Sequence, residues 1–325
     1  MERHDYHDTM KRSLLAMLPP RTSLVSQSES QGEVLTGQLL GPFGTAPIVD
    51  GVPRFVSDEA YAGSFGRQWR RFARVQLDSA SGRPESYHSF VARTGLDPAD
   101  FAGRRVLDVG CGAGRYMELF ADAGAEIVGV DLSRASEVAW RNVGRRPGAH
   151  VAQADALQLP FCEASFDLVF SIGVLHHTPA PEQATRTLAR LVRPGGVLAI
   201  WVYARSPLAW ADRLDGIYRG LTRRISDDVL FGLAHVAIPL GAVLRRLQRV
   251  PVVGTRLVAI YLSLLPKVSI HPDARWRVLD TFDWWSPRHR SFHTYPEVET
   301  WFRAAGLVRV RRLPVPVAVR GERPG

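Results

Sequence analysis

Three carboxylates and three glycines carry the first chemical signal in this chain. Asp108 stands just before Gly110, Gly112 and Gly114, alternate glycines in a turn that follows the apolar run Val106-Leu107. Glycine removes side chains where the backbone must turn sharply and where a ligand must come close to it. The turn feeds a helix read over 115–123, whose free N–H groups and dipole favour negative charge. Asp131 ends the next apolar run, at the distance expected of a ribose-binding carboxylate in a strand–helix–strand unit. Asp155 follows a third apolar run, in Ala154-Asp155-Ala156. The glycine spacing is not the dinucleotide fingerprint, which needs glycines at its first, third and sixth positions. Here they fall at the first, third and fifth, with Arg115 at the sixth. That spacing, and the later turn Arg193-Pro194-Gly195-Gly196, point away from a nicotinamide dehydrogenase.

A second group follows the fourth apolar run. Ser171 ends it, and His176-His177 come five residues later. Ligands of open α/β sheets sit at this carboxyl edge, and a histidine there can act as a general base near neutral pH. The plainer alternative is that both rings cap the strand end. A third group is the stretch 280–295, dense in aromatic residues, acids and histidines. Asp283, Trp285, His289 and His293 are its candidates for an acceptor-facing wall; the alternative is a buried aromatic knot. Phe65, Trp69, Phe72 and Val75 recur at helical spacing, so Trp69 reads either as core or as part of a helix closing over a ligand.

These residues need a scaffold, and the chain alternates strands with helices, the pattern of a parallel sheet covered on both faces. Strands are expected at 105–109, 126–131, 150–153, 166–172 and 197–203, and helices at 115–123, 134–142 and 181–191. Near the end, 295–305 reads as a helix stopped by Gly306, followed by two antiparallel edge strands at 307–313 and 315–320. Before the core, 1–30 reads as loosely ordered or a short helix. Segments 33–40 and 46–56 read as strands around the turn Gly41-Pro42-Phe43-Gly44, and 87–94 as a short helix. The resulting organisation is a small β segment at 1–60, a helical segment at 61–96, a cofactor-binding core at 97–203, a helical insertion at 204–292 and the last core elements at 293–325. The insertion carries two apolar stretches, 229–246 and 250–265, each shorter than the ~20 apolar residues of a spanning helix. It reads as a cap over the substrate site, the alternative being helices lying on a lipid surface.

Composition narrows the setting. The 325 residues carry a formal net charge of +9, and Lys11 and Lys267 are the only lysines among 41 basic residues. An arginine excess of this kind reflects either base composition or a basic face for nucleic acid, an acidic membrane surface or a phosphorylated substrate. The two cysteines, Cys111 in the glycine turn and Cys162, do not suggest a disulfide framework and suit a reducing cytoplasm. No metal site is expected, because no cysteine–histidine cluster has zinc-ligand spacing. The first residues, Met1 to Tyr6, are not followed by an apolar signal region, so a cytoplasmic location is expected.

Taken together, Asp108 with the glycine turn, Asp131, Ala154-Asp155-Ala156, the run Phe166-Asp167-Leu168-Val169-Phe170-Ser171 and Leu191-Val192-Arg193-Pro194-Gly195-Gly196-Val197-Leu198 resemble class I S-adenosylmethionine-dependent methyltransferases. The likeness is of the methyltransferase type 11 and ubiquinone-menaquinone C-methyltransferase kind. It covers residues 100–205 at full strength. Pro47 to Phe55 resembles the end of a zinc-ribbon-like segment that has lost its metal-binding cysteines. The resemblance implies a Rossmann-like α/β fold with a seven-stranded, mostly parallel sheet, S-adenosylmethionine as cofactor, and methyl transfer to a small organic acceptor, of a natural-product or lipid-like kind. It implies that Asp108 orients the cofactor's amino group and that Gly110, Cys111 and Gly112 lie along its methionine part. Asp131 would take the ribose hydroxyls, Leu132 and Ala156 would flank the adenine, and Asp155 would accept from its exocyclic amine; Ser171 joins this set at the strand edge. His176, His177, His289 and His293 are the catalytic candidates, and Trp69, Asp283 and Trp285 the substrate-binding ones. The alternatives are a nucleic-acid methyltransferase, disfavoured by the lack of an Asn/Asp-Pro-Pro-aromatic turn after the fourth strand, and a catalytically silent regulatory protein. The apolar insertion leaves peripheral membrane contact open, and the sequence leaves the oligomeric state open.

Overall fold

The computed structural model describes residues 10–30, 33–57, 62–206, 209–222 and 224–325. Expectations for residues 1–9 and Tyr61 lie outside the described residues. The chain begins with an antiparallel sheet of four strands, β1 (Ser23–Ser30), β2 (Glu33–Gly41), β3 (Gly44–Val49) and β4 (Val52–Pro53), in that order. Three helices follow: α1 (Gly63–Arg71), α2 (Asp78–Ser81) and α3 (Glu85–Thr94). The core then runs β5 (Arg105–Val109), α4 (Arg115–Asp122), β6 (Glu126–Asp131), α5 (Ala135–Ala139), β7 (Ala149–Gln153), β8 (Phe166–Ile172), α6 (Pro181–Leu191) and β9 (Val192–Trp201). Five further helices come next: α7 (Ala209–Thr222), α8 (Asp227–Val236), α9 (Ile238–Gln248), α10 (Val253–Leu264) and α11 (Ala274–Trp285). The chain ends with α12 (Tyr295–Ala304), β10 (Val308–Arg312) and β11 (Ala318–Glu322).

The large sheet has seven strands in the order β10-β11-β9-β8-β5-β6-β7. β5 to β9 are parallel, β11 pairs antiparallel with β9, and β10 pairs antiparallel with β11. Side chains alternate between the two faces, as the two-residue period of a strand requires. Leu107, Val109, Val128 and Val130 join the core on one face with Leu188 and Phe302, while Val106 and Ile127 face Phe90, Phe120 and Phe170 on the other. Both faces being buried explains the nearly continuous apolar runs of these strands.

The structure departs from the sequence expectations in several places. Residues 23–30 form a strand rather than coil, and 12–17 form a 3-10 turn. β1 lacks an apolar pattern because it is held by its ladder to β2, with Ser28 and Thr36 hydroxyls 2.6 Å apart across it. β9 begins at Val192 rather than 197, since the Pro-Gly-Gly stretch continues the strand through an irregular register and exchanges hydrogen bonds with Arg323. The helix expected over 134–142 gives way at Trp140 to a wider π-type turn through Gly144. There the Trp140 ring occupies the space a side chain at 144 would need. The first apolar stretch of the insertion breaks into α8 and α9, bent by 43°, with Pro239 in the first turn of α9. Among the described residues no single helix is long and apolar enough to cross a membrane.

Candidate active site

The carboxyl ends of β5, β6 and β8 open onto a cavity of about 490 Å³, within the usual range for small-molecule sites. One wall is backbone. Gly110 and Gly112 both adopt positive φ, +82° and +54°. A Cβ at Gly110 would fall 2.2 Å from Val174, and one at Gly112 would fall 2.9 Å from the Trp69 ring, so both glycines are required by space as well as conformation. The turn is tethered: Gly110 and Cys111 N–H groups bond to Val130 C=O, and Gly112 N–H donates to Asp131 Oδ2 at 3.0 Å. The other Asp131 oxygen accepts from the Ser133 N–H and hydroxyl, at 2.9 and 2.7 Å. Asp131 therefore organises the turn and also lines the cavity, together with Cys111, Leu132 and Ala156. Burial pushes the Cys111 thiol well up, so it stays protonated. Asp108 lies behind the turn, 1% exposed, its carboxyl held well above the usual range by burial and by Asp131. Its Oδ2 has no hydrogen-bond partner among the described residues.

The opposite wall is made of side chains from the insertion and from α1. Trp276, Leu279, Asp280, Asp283 and Trp284 project from α11 into the cavity. Asp283 Oδ1 accepts from Gln68 Nε2 at 3.2 Å, and its Oδ2 accepts from the Tyr203 hydroxyl at 3.3 Å. Burial raises the Asp283 pKa against the lowering effect of those two bonds. Burial also pushes Asp280 up to about 7, although the Ser269 hydroxyl bonds to its Oδ2 at 3.0 Å. α8 and α11 pack together through Leu230, Ala234, Val278, Leu279 and Phe282, with Phe72 and Trp69 below them.

Of the four histidines, His177 alone lines the cavity. Its Nδ1 is 2.9 Å from the His289 carbonyl, so Nδ1 carries the proton and Nε2 carries the lone pair. Burial lowers its pKa to about 3, so the ring is neutral at physiological pH. His176 is fully buried, stacked on Tyr203 with ring centres 3.8 Å apart, and both its nitrogens lack partners among the described residues. His289 is exposed, and its carbonyl meets His177 Nδ1. His293 lies 2.9 Å from Glu297 and 2.7 Å from the Ser291 hydroxyl, pinning the loop before α12 to the end of β9. Three more of the sequence candidates fall outside the lining. Asp155 caps its own turn through the Leu157 N–H, Ser171 donates to the Val109 carbonyl, and the Trp285 indole donates to the Lys267 carbonyl. Trp285 points away because it is one residue from Trp284, which takes the inward position on the helix.

Two lining residues had no sequence motif to announce them. Arg93 of α3 is stacked over Trp201 at 4.4 Å, and Arg115 follows the glycine turn. Burial lowers the Arg93 pKa, with Arg115 adding to the effect. Two guanidiniums turned toward one end of a cavity suit a carboxylate. The only sequence clue was Arg115 itself, which interrupts the glycine pattern.

Comparison with known proteins gives this geometry its family. A family described as "Methyltransferase domain" matches residues 107–200, the span from β5 to β9. A malonyl-[acyl-carrier protein] O-methyltransferase of Enterobacter lignolyticus is 33% identical over 188 residues, covering 55% of this chain and 70% of that protein. The chain belongs to the class I S-adenosylmethionine-dependent methyltransferases. A ubiquinone biosynthesis O-methyltransferase of Alkalilimnicola ehrlichii is 36% identical over 121 residues, 33% of this methyltransferase and 45% of that protein. This methyltransferase spans about half or less of the length of several curated relatives it matches. A crystal structure of an S-adenosylmethionine-dependent methyltransferase from Mesorhizobium loti is 31% identical over 31% of this chain and 46% of its own, with a TM-score of 0.29.

S-adenosylmethionine is the cofactor, and the site fits it. The Gly110 and Gly112 main chain is bare where a ligand must lie close, a carboxylate stands at the end of β6, and buried Asp108 has an oxygen free to accept.

Proposed function

We propose that this methyltransferase places a methyl group on an oxygen of a small organic acceptor held between the glycine turn and α11. The single observation that carries this reading is one continuous cavity, lined by the Gly110–Gly112 turn and Asp131 on one side and by Asp283 and Trp284 on the other. Both relatives named above are O-methyltransferases, one named for malonyl-[acyl-carrier protein] and one for ubiquinone biosynthesis, which supports an oxygen acceptor. When bound, the cofactor supplies a methyl group on a positively charged sulfur that a nucleophilic atom displaces.

The chain's own residues divide the remaining work. Asp131 takes the ribose hydroxyls, its two oxygens matching a vicinal diol. Gly110, Cys111 and Gly112 accommodate the methionine part, Asp108 orients its amino group through the turn, and Arg93 and Arg115 hold its carboxylate. Leu132 and Ala156 flank the adenine. Trp69, Trp276 and Trp284 shape an apolar acceptor space and exclude water, which strengthens every polar interaction inside it. Asp283 takes the proton of a hydroxyl acceptor, because its raised pKa makes it a better base than an ordinary carboxylate. Gln68 and Tyr203 position it. His177 Nε2 accepts a hydrogen bond from a second donor group on the acceptor molecule; with a pKa near 3 it orients rather than deprotonates.

Titration calorimetry with S-adenosylmethionine, S-adenosylhomocysteine and NAD tests the cofactor half, and binding of NAD alone overturns it. Transfer of labelled methyl from S-adenosylmethionine across a series of phenolic and carboxylate acceptors tests the rest. Turnover of amine acceptors only would remove the oxygen assignment.

A further inference from the structure

The inner side of the insertion closes the cavity, but its outer side is apolar and faces solvent. Fifteen of the nineteen large hydrophobic side chains exposed among the described residues lie between Trp210 and Leu265. They are in helical register. On α10, Val253, Leu257, Ile260 and Leu264 are 61, 48, 53 and 43% exposed and recur every three or four residues, forming one continuous stripe. On α8, Val229, Leu233 and Val236 form a second exposed stripe, opposite the face that packs on α11. A stripe of this kind ordinarily faces a core, and a contiguous exposed set marks a docking surface.

Charge says what docks there. Between Asp228 and Asp273 the chain contains no acidic residue, while it carries Arg245, Arg246, Arg249, Arg256 and Lys267. Arg246 and Arg249, at the end of α9, and Arg256, next to Leu257 on α10, are exposed. A second copy of the same face would bring these cations against each other without a countercharge. An acidic layer with an apolar interior complements both features, as for amphipathic helices that lie in a bilayer interface. A spanning role does not fit: α10 has 12 residues, about 18 Å, against a hydrocarbon thickness of about 30 Å.

We propose that the outer face of α8, α9 and α10 seats on an anionic lipid surface, with the stripes in the acyl boundary and the arginines at the phosphates. This rests on that face alone and stands whatever the acceptor is.

Cosedimentation of the whole protein with vesicles tests it. Phosphatidylglycerol–phosphatidylcholine vesicles should pellet the protein, and pure phosphatidylcholine vesicles should not. Leu257→Glu with Ile260→Glu should abolish pelleting. Arg249→Gln with Arg256→Gln should lower the partition coefficient about 25-fold, roughly fivefold per arginine. Both pairs lie on exposed positions, so melting temperature and S-adenosylmethionine affinity should match the wild type and show that the variants fold. Equal pelleting with neutral vesicles, or none with either by folded wild type, overturns the proposal. So does a dimer in light scattering that Leu257→Glu dissolves while vesicles are ignored, which would assign the face to a second copy.

Discussion

The two walls of the cavity are built on opposite principles. The strand-edge wall is main chain held in place by main chain: glycines at positive φ, carbonyls of β6 and one tethered carboxylate. The α11 wall is side chain held by side chain, two aspartates and two tryptophans from an insertion, steadied by Gln68 of α1 and Tyr203 beyond β9. A backbone wall tolerates few substitutions and suits a ligand that does not change. A side-chain wall can be respecified residue by residue and suits a ligand that does.

The sharpest way to break this division is Gly110→Ala. The new Cβ meets Val174 at 2.2 Å in a left-handed conformation, so a loss of about 3 kcal/mol in urea unfolding is expected, with cofactor affinity reduced more than tenfold. On the other wall, Asp283→Asn should cut methyl transfer about 100-fold, the usual size of a general-base contribution, while leaving the calorimetric affinity for S-adenosylmethionine unchanged. Equal damage to cofactor binding would erase the distinction between the walls. Asp131→Ala should cost about 1–3 kcal/mol of cofactor binding, the loss of a charged hydrogen-bond partner.

Asp280 gives a subtler test through pH. Its folded pKa of about 7 stands above the ordinary 3.8, so the folded protein holds this proton more tightly than the unfolded chain. The associated stability is complete below pH 3.8 and disappears as pH rises through about 7. Asp280→Asn should therefore melt higher than wild type at pH 8 and show no such gain at pH 4. The smallest effect is expected at Trp285→Phe, which loses the indole bond to Lys267 C=O for about 1 kcal/mol of stability and leaves cofactor affinity untouched.

The same division decides what was legible in the sequence. Strands 105–109, 126–131 and 166–172 and helix 181–191 could be read to the residue, because buried parallel strands and the turns between them impose local patterns. The glycine turn and Asp131 were legible for the same reason. The α11 wall was readable only as a neighbourhood. Residues 280–295 were marked, yet which of two adjacent tryptophans faces inward depends on how α11 packs on α8 and α1. Arg93 carries no motif because it reaches the cavity from a helix distant in sequence. β1 was missed because a polar edge strand is specified by its partner rather than by its own pattern.

Trp69 and Gln68 are adjacent in α1, yet one lies over Gly112 and the other holds Asp283. Redesign for a bulkier acceptor must push on the second and so disturbs the first. Broader acceptor range and firm retention of the methyl donor are thereby set against each other, and variants that widen the range should emerge with compensating changes in that one short helix.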